Sequence, residues 1–493
     1  MTNLLYLPSF QQIVLKILHK KPVFFVAAIL FCTITNAQND SNMVLGQPWS
    51  LSQCISYAWQ HNLTIKQAQV SSDIAKNNVT GSKANIYPNV NGYASNTYNF
   101  GRTIDPFTNT FATSEVLSQD FYVSSSFTIF GGEQNINTVK QNQAAYTASK
   151  YDVEVSKNNI ALNIASGYLQ VLLDQELLEE AKNQHEVTLQ QVERTQNLVT
   201  AGSLARSNLL DVQAQEANDD VTQINAQNQL DLAMLSLAQL LDVDSIQLFK
   251  IVKPDIQIPA NPAIDGPEQV YYKAITGMPD IHSAEMKWKS SEDAKQVAEG
   301  ALYPKLTFNA TLGTGYSGAN KQSSTVYNND TLGYVGASPI IAKVPSVQEG
   351  GVTPWAQQLN ENFNKSFGFR LNIPIFNGLQ SNMAYRNAKL TALNNYYNYE
   401  TSEINLRKNI QQAYADALGA LKKYHATEKA VASLQEAFSY TKTKFDVGMA
   451  TALDYNTAKT NLTKAESDLL QAKYNYIFKV KVLDYYEGKP LKL

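Results

Sequence analysis

Several stretches of the chain alternate apolar and polar residues with a period of two. Leu306, Phe308, Ala310 and Leu312 are separated by Thr307, Asn309 and Thr311. Phe363, Phe367, Phe369, Leu371 and Ile373 sit among Asn364, Ser366, Arg370 and Asn372, and Phe121, Val123, Phe127 and Ile129 follow the same rule. This is the signature of strands with one apolar and one wet face. Each run is about ten residues or slightly more, the length a tilted strand needs to cross a bilayer. The pattern then changes. From Glu133 to Ala201, and again from Leu379 to Val447, there is no Pro and a single Gly, Gly167 and Gly419 respectively. Each predicts a helix on the order of 100 Å long. Gly202 and Gly448 stand where a helix-ending C′ glycine belongs, and shorter helices follow over 205–241 and 451–487.

These elements are written twice. "FTIFGGEQ" at Phe127 and "IPIFNGLQ" at Ile373 mark two strand-to-helix junctions, and Gly132 and Gly378 let the chain turn there. The offset is 246 residues, and it carries Tyr168 onto Tyr414 and Gly202 onto Gly448. Earlier in each copy the offset is 216. It carries "LSQCISYAWQHNLTI" onto "PEQVYYKAITGMPDI" and "IYPNV" onto "LYPKL". In each copy a helical stretch ends at Tyr-Pro, Tyr87-Pro88 or Tyr303-Pro304. Copy two therefore has 30 extra residues between its two strands, read as an exposed loop. The division is a first repeat over 38–252 with a strand pair in 88–130 and a long helix in 132–200. A linker over 253–266 leads to a second repeat over 267–493, with a strand pair in 304–376 and a long helix in 378–447.

The first 37 residues read as a signal peptide. Lys16, Lys20 and Lys21 precede an apolar run, Val23 to Cys32, too short to span a membrane, and Thr35 and Ala37 suit a cleavage site. Phe31 is too bulky to make Cys32 a lipid-anchor site. Net charge is −3, or −6 once those three lysines are removed, which argues against a nucleic-acid partner. Only Cys54 remains beyond residue 37, so no intramolecular disulfide is available.

No constellation for chemistry emerges. "GTGYSG" at Gly313 matches a dinucleotide pattern but is followed by a polar loop rather than a helix. His61, His185, His282 and His425 are scattered, without metal-ligand spacing. No cofactor, metal or enzyme activity is expected.

Four strands cannot close a membrane barrel with a usable interior, and an open edge in hydrocarbon is costly. Three chains would supply twelve strands. The long helices carry more than one apolar stripe. Ile160, Ile164, Tyr168, Val171 and Leu172 are flanked by Leu162, Leu169 and Leu173. That suits helices packed side by side around water better than a single coiled-coil seam.

Strand pair, long helix, glycine tip and returning helix, twice, resemble the TolC family of outer-membrane efflux proteins. "YPNV" and "YPKL", "IFGG" and "IFNG", and the tips "LVTAGSLARSNLLDVQA" and "KFDVGMATALDYNTA" carry the resemblance over nearly the whole chain. It implies a mixed α/β membrane protein. Homotrimers would form a twelve-stranded β-barrel in the outer membrane, continued by an α-helical barrel in the periplasm. The implied partners are outer-membrane lipid, a periplasmic adaptor and an inner-membrane pump of RND or ABC type, and the implied role is the exit duct of tripartite efflux or type I secretion. Gly202, Ser203 and Leu204, with Gly448, Met449 and Ala450, become candidate adaptor-docking tips. Matching on Gly448 places the family's first constriction aspartate at Asp454 and its second at Thr457. Copy one has Asn208 there, with Asp211 one turn on, and Phe445 stands where relatives often carry Tyr. A gate of Asp454, Phe445, Asn208 and Asp211 is less acidic than the family pattern. Asp454 also fits a capping box with Thr451, and both roles stay open. A secreted or surface coiled-coil scaffold or adhesin, and an unpowered porin, remain as alternatives.

Overall fold

The structure is a computed structural model that describes residues 47–493 apart from 105, 106, 108, 110, 113, 114, 244–248, 257 and 260–263. The expected signal peptide, residues 1–37 with Cys32, lies outside the described residues, as does part of the 253–266 linker. Copy one runs β1 (Pro48–Trp49), α1 (Leu51–His61), α2 (Leu63–Ala84), β2 (Asn89–Asn99), β3 (Thr103–Ile104), β4 (Phe111–Ala112), β5 (Val116–Phe130), α3 (Gln134–Thr200), α4 (Arg206–Leu240) and β6 (Lys250–Ile251). Copy two runs α5 (Pro267–Gly277), α6 (Pro279–Gly300), β7 (Lys305–Ser317), β8 (Lys321–Val335), β9 (Ser338–Val352), α7 (Trp355–Glu361), β10 (Asn364–Asn372), α8 (Gln380–Asp446) and α9 (Ala452–Tyr486).

The helical stretch that opens each copy is broken in two. Asn62 ends α1 in extended backbone, and its side chain caps α2 by accepting from Thr64 N and Ile65 N. In copy two Pro279 does this work as the first residue of α6. Both long helices are 67 residues, which at 1.5 Å per residue is about 100 Å. No helix among the described residues is long and apolar enough to cross a membrane.

One four-stranded antiparallel sheet has the order β10-β7-β5-β2. Its register sorts the side chains onto two unlike faces. Val90, Ser125, Ala310 and Phe367 form one row across all four strands. Phe127, Phe308 and Phe369 form the next, and Leu306 lies opposite Leu371. The reverse face carries Asn89, Ser126, Asn309 and Gly368, then Asn91, Ser124, Thr311 and Ser366. One face is thus fit for lipid and the other for water, with little charge. A bulge between Thr128 and Phe130 leaves Ile129 as the extra residue and puts Phe130 opposite Leu306, on the apolar face.

Two readings change. The strand expected to continue through Ile373 stops at Asn372, because Pro374 has no N–H to give a ladder. The 30-residue insertion is not a loop. It is a two-stranded ribbon of β8 and β9 turning at Gly336, whose φ is +64°. The missed signal was alternation that mixes Val and Ile with Thr and Asn too evenly to mark a buried face.

Each strand-to-helix junction places two consecutive residues in the left-handed region. They are Gly132 (φ +60°) with Glu133 (φ +60°), and Gly378 (φ +65°) with Leu379 (φ +64°). The first junction packs against the end of α6. A Cβ on Gly132 would collide with the Gly300 carbonyl, and a Cβ on Gly300 would collide with the Gly132 carbonyl. Helix α6 lies against both α3 and α8, whereas α2 lies against α3. Val270, Ala274, Met278, Ile281, Leu406 and Ile410 form the core where α5 and α6 meet α8. The short parallel pair β1–β6 is tied to α3 by buried Tyr168, whose hydroxyl reaches Trp49 O at 3.1 Å and Val252 O at 2.5 Å.

Gly300→Ala should destabilise the protein although its backbone is ordinary, and Gly132→Ala should cost more, because it adds about 1–3 kcal/mol of backbone strain to the same collision. Thermal melting of the helical signal checks the order: wild type above Gly300→Ala above Gly132→Ala.

Candidate functional site: the two helical tips

The ends of the long helices are built alike. At the first tip Gly202 (φ +74°) donates to Val199 O at 3.0 Å and Ser203 N donates to Leu198 O at 2.9 Å. At the second, Gly448 (φ +78°) donates to Phe445 O at 3.0 Å and Met449 N to Lys444 O at 2.8 Å. Both are Schellman ends, in which a left-handed glycine satisfies the last free carbonyls. Both tips are exposed, with Met449 at 78% and Leu453 at 75%. Leu204 is half-buried, Ser203 exposed, and Ala450 half-buried.

The two returning helices start differently. Ala205 precedes α4 and offers no side-chain cap. Thr451 caps α9: Asp454 N donates to Thr451 Oγ1 at 3.2 Å, and Thr451 N donates to Asp454 Oδ2 at 3.0 Å. The Thr451 hydroxyl also donates to Oδ2 at 2.7 Å. These bonds, the hydroxyl's first and the amide's second, hold the Asp454 carboxyl below its ordinary range. The residue is a cap, and it is an exposed carboxylate at the tip as well.

Phe445 stacks on Tyr455, with centroids 4.9 Å apart, and Tyr455 meets Phe438 at 5.4 Å. This aromatic run fastens α8 to α9. Asn208 is half-buried and its backbone N–H donates to Ala205 O at 3.1 Å, and Asp211 is exposed on α4.

Sequence reasoning missed the polar links between the copies. Arg194 on α3 reaches Asp446 on α8 at 2.7 Å, joining the two tips. Deeper in, Lys459 on α9 donates to Asp219 Oδ2 on α4 at 3.0 Å and to the Thr188 hydroxyl on α3, which itself donates to Asp219. All three residues are buried, and burial pulls the Lys459 ammonium below its ordinary range while Asp219 opposes that shift. His185 on α3 bridges Glu216 at 2.9 Å and Gln223 at 3.0 Å on α4, and the Glu216 bond raises its pKa. None of these pairs shares a motif or spacing, since Lys459 and Asp219 stand 240 residues apart. Among the described residues no group of His, Cys, Asp and Glu could hold a metal ion.

The family model described as "Outer membrane efflux protein" matches residues 54–242 and 270–484. The chain is 21% identical to the outer membrane protein TolC of Escherichia coli (strain K12) over 447 residues, covering 88% of this chain and 81% of that one. Among solved structures, CusC superposes with a TM-score of 0.71 at 17% identity, over 90% of this chain and 94% of that one. VceC of Vibrio cholerae superposes with a TM-score of 0.70 at 15% identity, over 89% and 96%.

Lys459→Ala would leave the Asp219 carboxylate buried without its cation, a loss of about 3–5 kcal/mol. Chemical denaturation should show that loss, and Lys459→Met combined with Asp219→Leu should recover most of it.

Proposed function

The chain belongs to the outer membrane efflux protein family, and from that premise we propose that it is the exit duct of a tripartite efflux or type I secretion system, assembled as a homotrimer. Three chains close one twelve-stranded barrel, and their helices continue it as a tunnel into the periplasm. Cargo, small molecules or peptides, passes without covalent change. An inner-membrane pump of RND or ABC type supplies the work through a periplasmic adaptor.

The observation that carries this reading is the sheet. Its lipid-fit face is continuous across four strands, yet β2 and β10 are bare edges. In hydrocarbon each unpaired backbone group costs several kcal/mol. The sheet therefore needs further copies.

The helices support the same closure. Within the chain, α6 fills the gap between α3 and α8. Its repeat equivalent, α2, covers α3 but leaves Val70 and Ile74 exposed at 57% and 56%. On α8, Met383, Leu390, Tyr397 and Ile404 are exposed too, and they recur every seven residues. That is an unfilled helix seam. A neighbouring copy's α2 would fill it as α6 fills its own. Gly378 has open space around it, whereas its equivalent Gly132 meets Gly300. The second junction is where the next copy would sit.

At the tips, Gly202, Ser203 and Leu204 with Gly448, Met449 and Ala450 form the adaptor-docking surface. Asp454 and Asp211 supply the charge of the periplasmic constriction, with Phe445 and Asn208 beside them. Thr457 stands where the family pattern has its second acid, and the copy-one equivalent of Asp454 is Asn208, so the constriction is weakly acidic.

A photo-crosslinking residue in place of Ala450, in living cells, should capture a periplasmic adaptor; capture of nothing by an assembled trimer, under conditions that induce export, would point to an unpowered channel. Asp454→Ala should raise single-channel conductance or relieve block by divalent cations, and Thr451→Ala, which removes the cap but keeps the carboxylate, should not. Equal effects of the two would leave Asp454 as a cap alone.

A further inference from the structure

Between its paired strands copy one has the short antiparallel pair β3–β4, whereas copy two has the long ribbon of β8 and β9 between β7 and β10. Strand direction fixes its place. β7 runs away from α6 and β10 runs back toward α8, so the ribbon leaves the sheet at the end opposite the helices. In the duct proposed above, this is the outer mouth. Each strand has 15 residues, about 50 Å at the usual strand rise.

The root of the ribbon is built rigidly. Gln358 on α7 is fully buried. Its Nε2 donates to Ser317 O at 3.0 Å and to Thr353 O at 2.8 Å, and its Oε1 accepts from Ser317 N at 2.9 Å. Thr353 N donates to Asn320 O, and Gly318 N to Leu117 O, both at 2.8 Å. The ribbon is therefore aimed. Beyond its root it is exposed along nearly its whole length, and a lone two-stranded ribbon is marginal in water.

Both faces of the ribbon carry apolar side chains, with Val326, Val335 and Ile340 at 37%, 71% and 48% exposure on one, and the other face, which holds the tyrosines, is the more exposed. The register sets Tyr327 opposite Pro345, Thr331 opposite Ile341, Tyr334 opposite Pro339 and Thr325 opposite Val347. Tyr327, Tyr334, Ile341 and Val347 are between 59% and 72% exposed. Between Val347 and Pro339 only Lys343, opposite Asn329, puts a charge on this face, and Glu349 lies at its root opposite Ser323.

The occupant follows from three constraints. Closing the barrel gathers one ribbon from each copy onto the same rim. The ribbon carries Lys321 and Lys343 against Asp330 and Glu349, so copies do not repel one another. A ring of copies could join edge to edge only by pairing β8 of one with β9 of the next. Pro339 and Pro345 are separated by a whole number of strand periods, so both lie on the same side of β9, and having no N–H they keep the ladder to β8 only if they face the free edge. That edge is blunted against a further strand. Faces, not edges, must meet.

We propose that the three ribbons of one trimer pack together through the face bearing Tyr327, Tyr334, Ile341 and Val347, as a cap over the outer mouth of the barrel. The proposal rests on the trimeric duct reading. Its test is oxidative crosslinking of Tyr334→Cys in the purified, detergent-solubilised full chain, dilute enough that separate assemblies do not meet. Cys54 is silent in this assay: it is fully buried, and burial pushes its thiol up to about 12. Tyr334→Cys should give a disulfide-linked dimer band. Asn328→Cys, on the opposite face, should stay monomeric, and Val347→Cys serves where Tyr334→Cys fails to fold. Sedimentation of the same samples separates the two claims. A trimer with no Tyr334→Cys dimer band, or with equal bands from both faces, overturns the cap and leaves the duct. A sample that sediments as one chain overturns both.

Discussion

A backbone edge left unpaired in hydrocarbon is the constraint on which the whole molecule turns. The register of β10, β7, β5 and β2 makes one face apolar and the other rich in Asn, Ser, Thr and Gly. Such a sheet belongs at a lipid–water boundary, yet it ends in two bare edges. Neither a larger core nor a better-packed helix can cure that. Only more strands can, and among the described residues the chain has no more to give, because its other long strands form the separate ribbon of β8 and β9. Assembly is therefore part of the fold rather than an addition to it.

The same logic reaches the helices through the internal repeat. One gap between long helices is filled within the chain by α6, and the other is left open beside a heptad row of apolar residues on α8. The two seams are equivalent in position and unlike in detail. Gly300 lets the first junction close on Gly132, whereas Gly378 has open space around it and the repeat equivalent of Gly300 is Ala84. The copies have also diverged at the tips: the second has a capping box and an aromatic run, while the first starts its returning helix uncapped. Buried Lys459 and Asp219 then tie the two copies together.

Much of this was legible in the sequence, for physical reasons. Period-two alternation exposed the membrane strands because one face must be apolar throughout. Helix length was legible because Pro is absent and Gly rare, and the Schellman ends because only glycine suits their backbone. The capping box of Thr451 and Asp454 was readable because its partners are three residues apart. What failed was whatever depends on distant partners. Lys459 with Asp219 and Arg194 with Asp446 have no local signature. The ribbon of β8 and β9 looked like a loop because apolar and polar residues are mixed on both its faces and no core within the chain imposes a pattern. Strand β10 ended early at a single Pro374 that the alternation of its neighbours concealed.

The most direct test of the account is cryo-electron microscopy of the protein in a lipid nanodisc, read at the two sheet edges. The account predicts β2 of each chain hydrogen-bonded to β10 of a neighbour about a threefold axis, with α2 seated against the neighbour's Met383–Ile404 seam. A barrel closed within one chain, or a particle in which β2 and β10 remain unpaired in the bilayer, would contradict it.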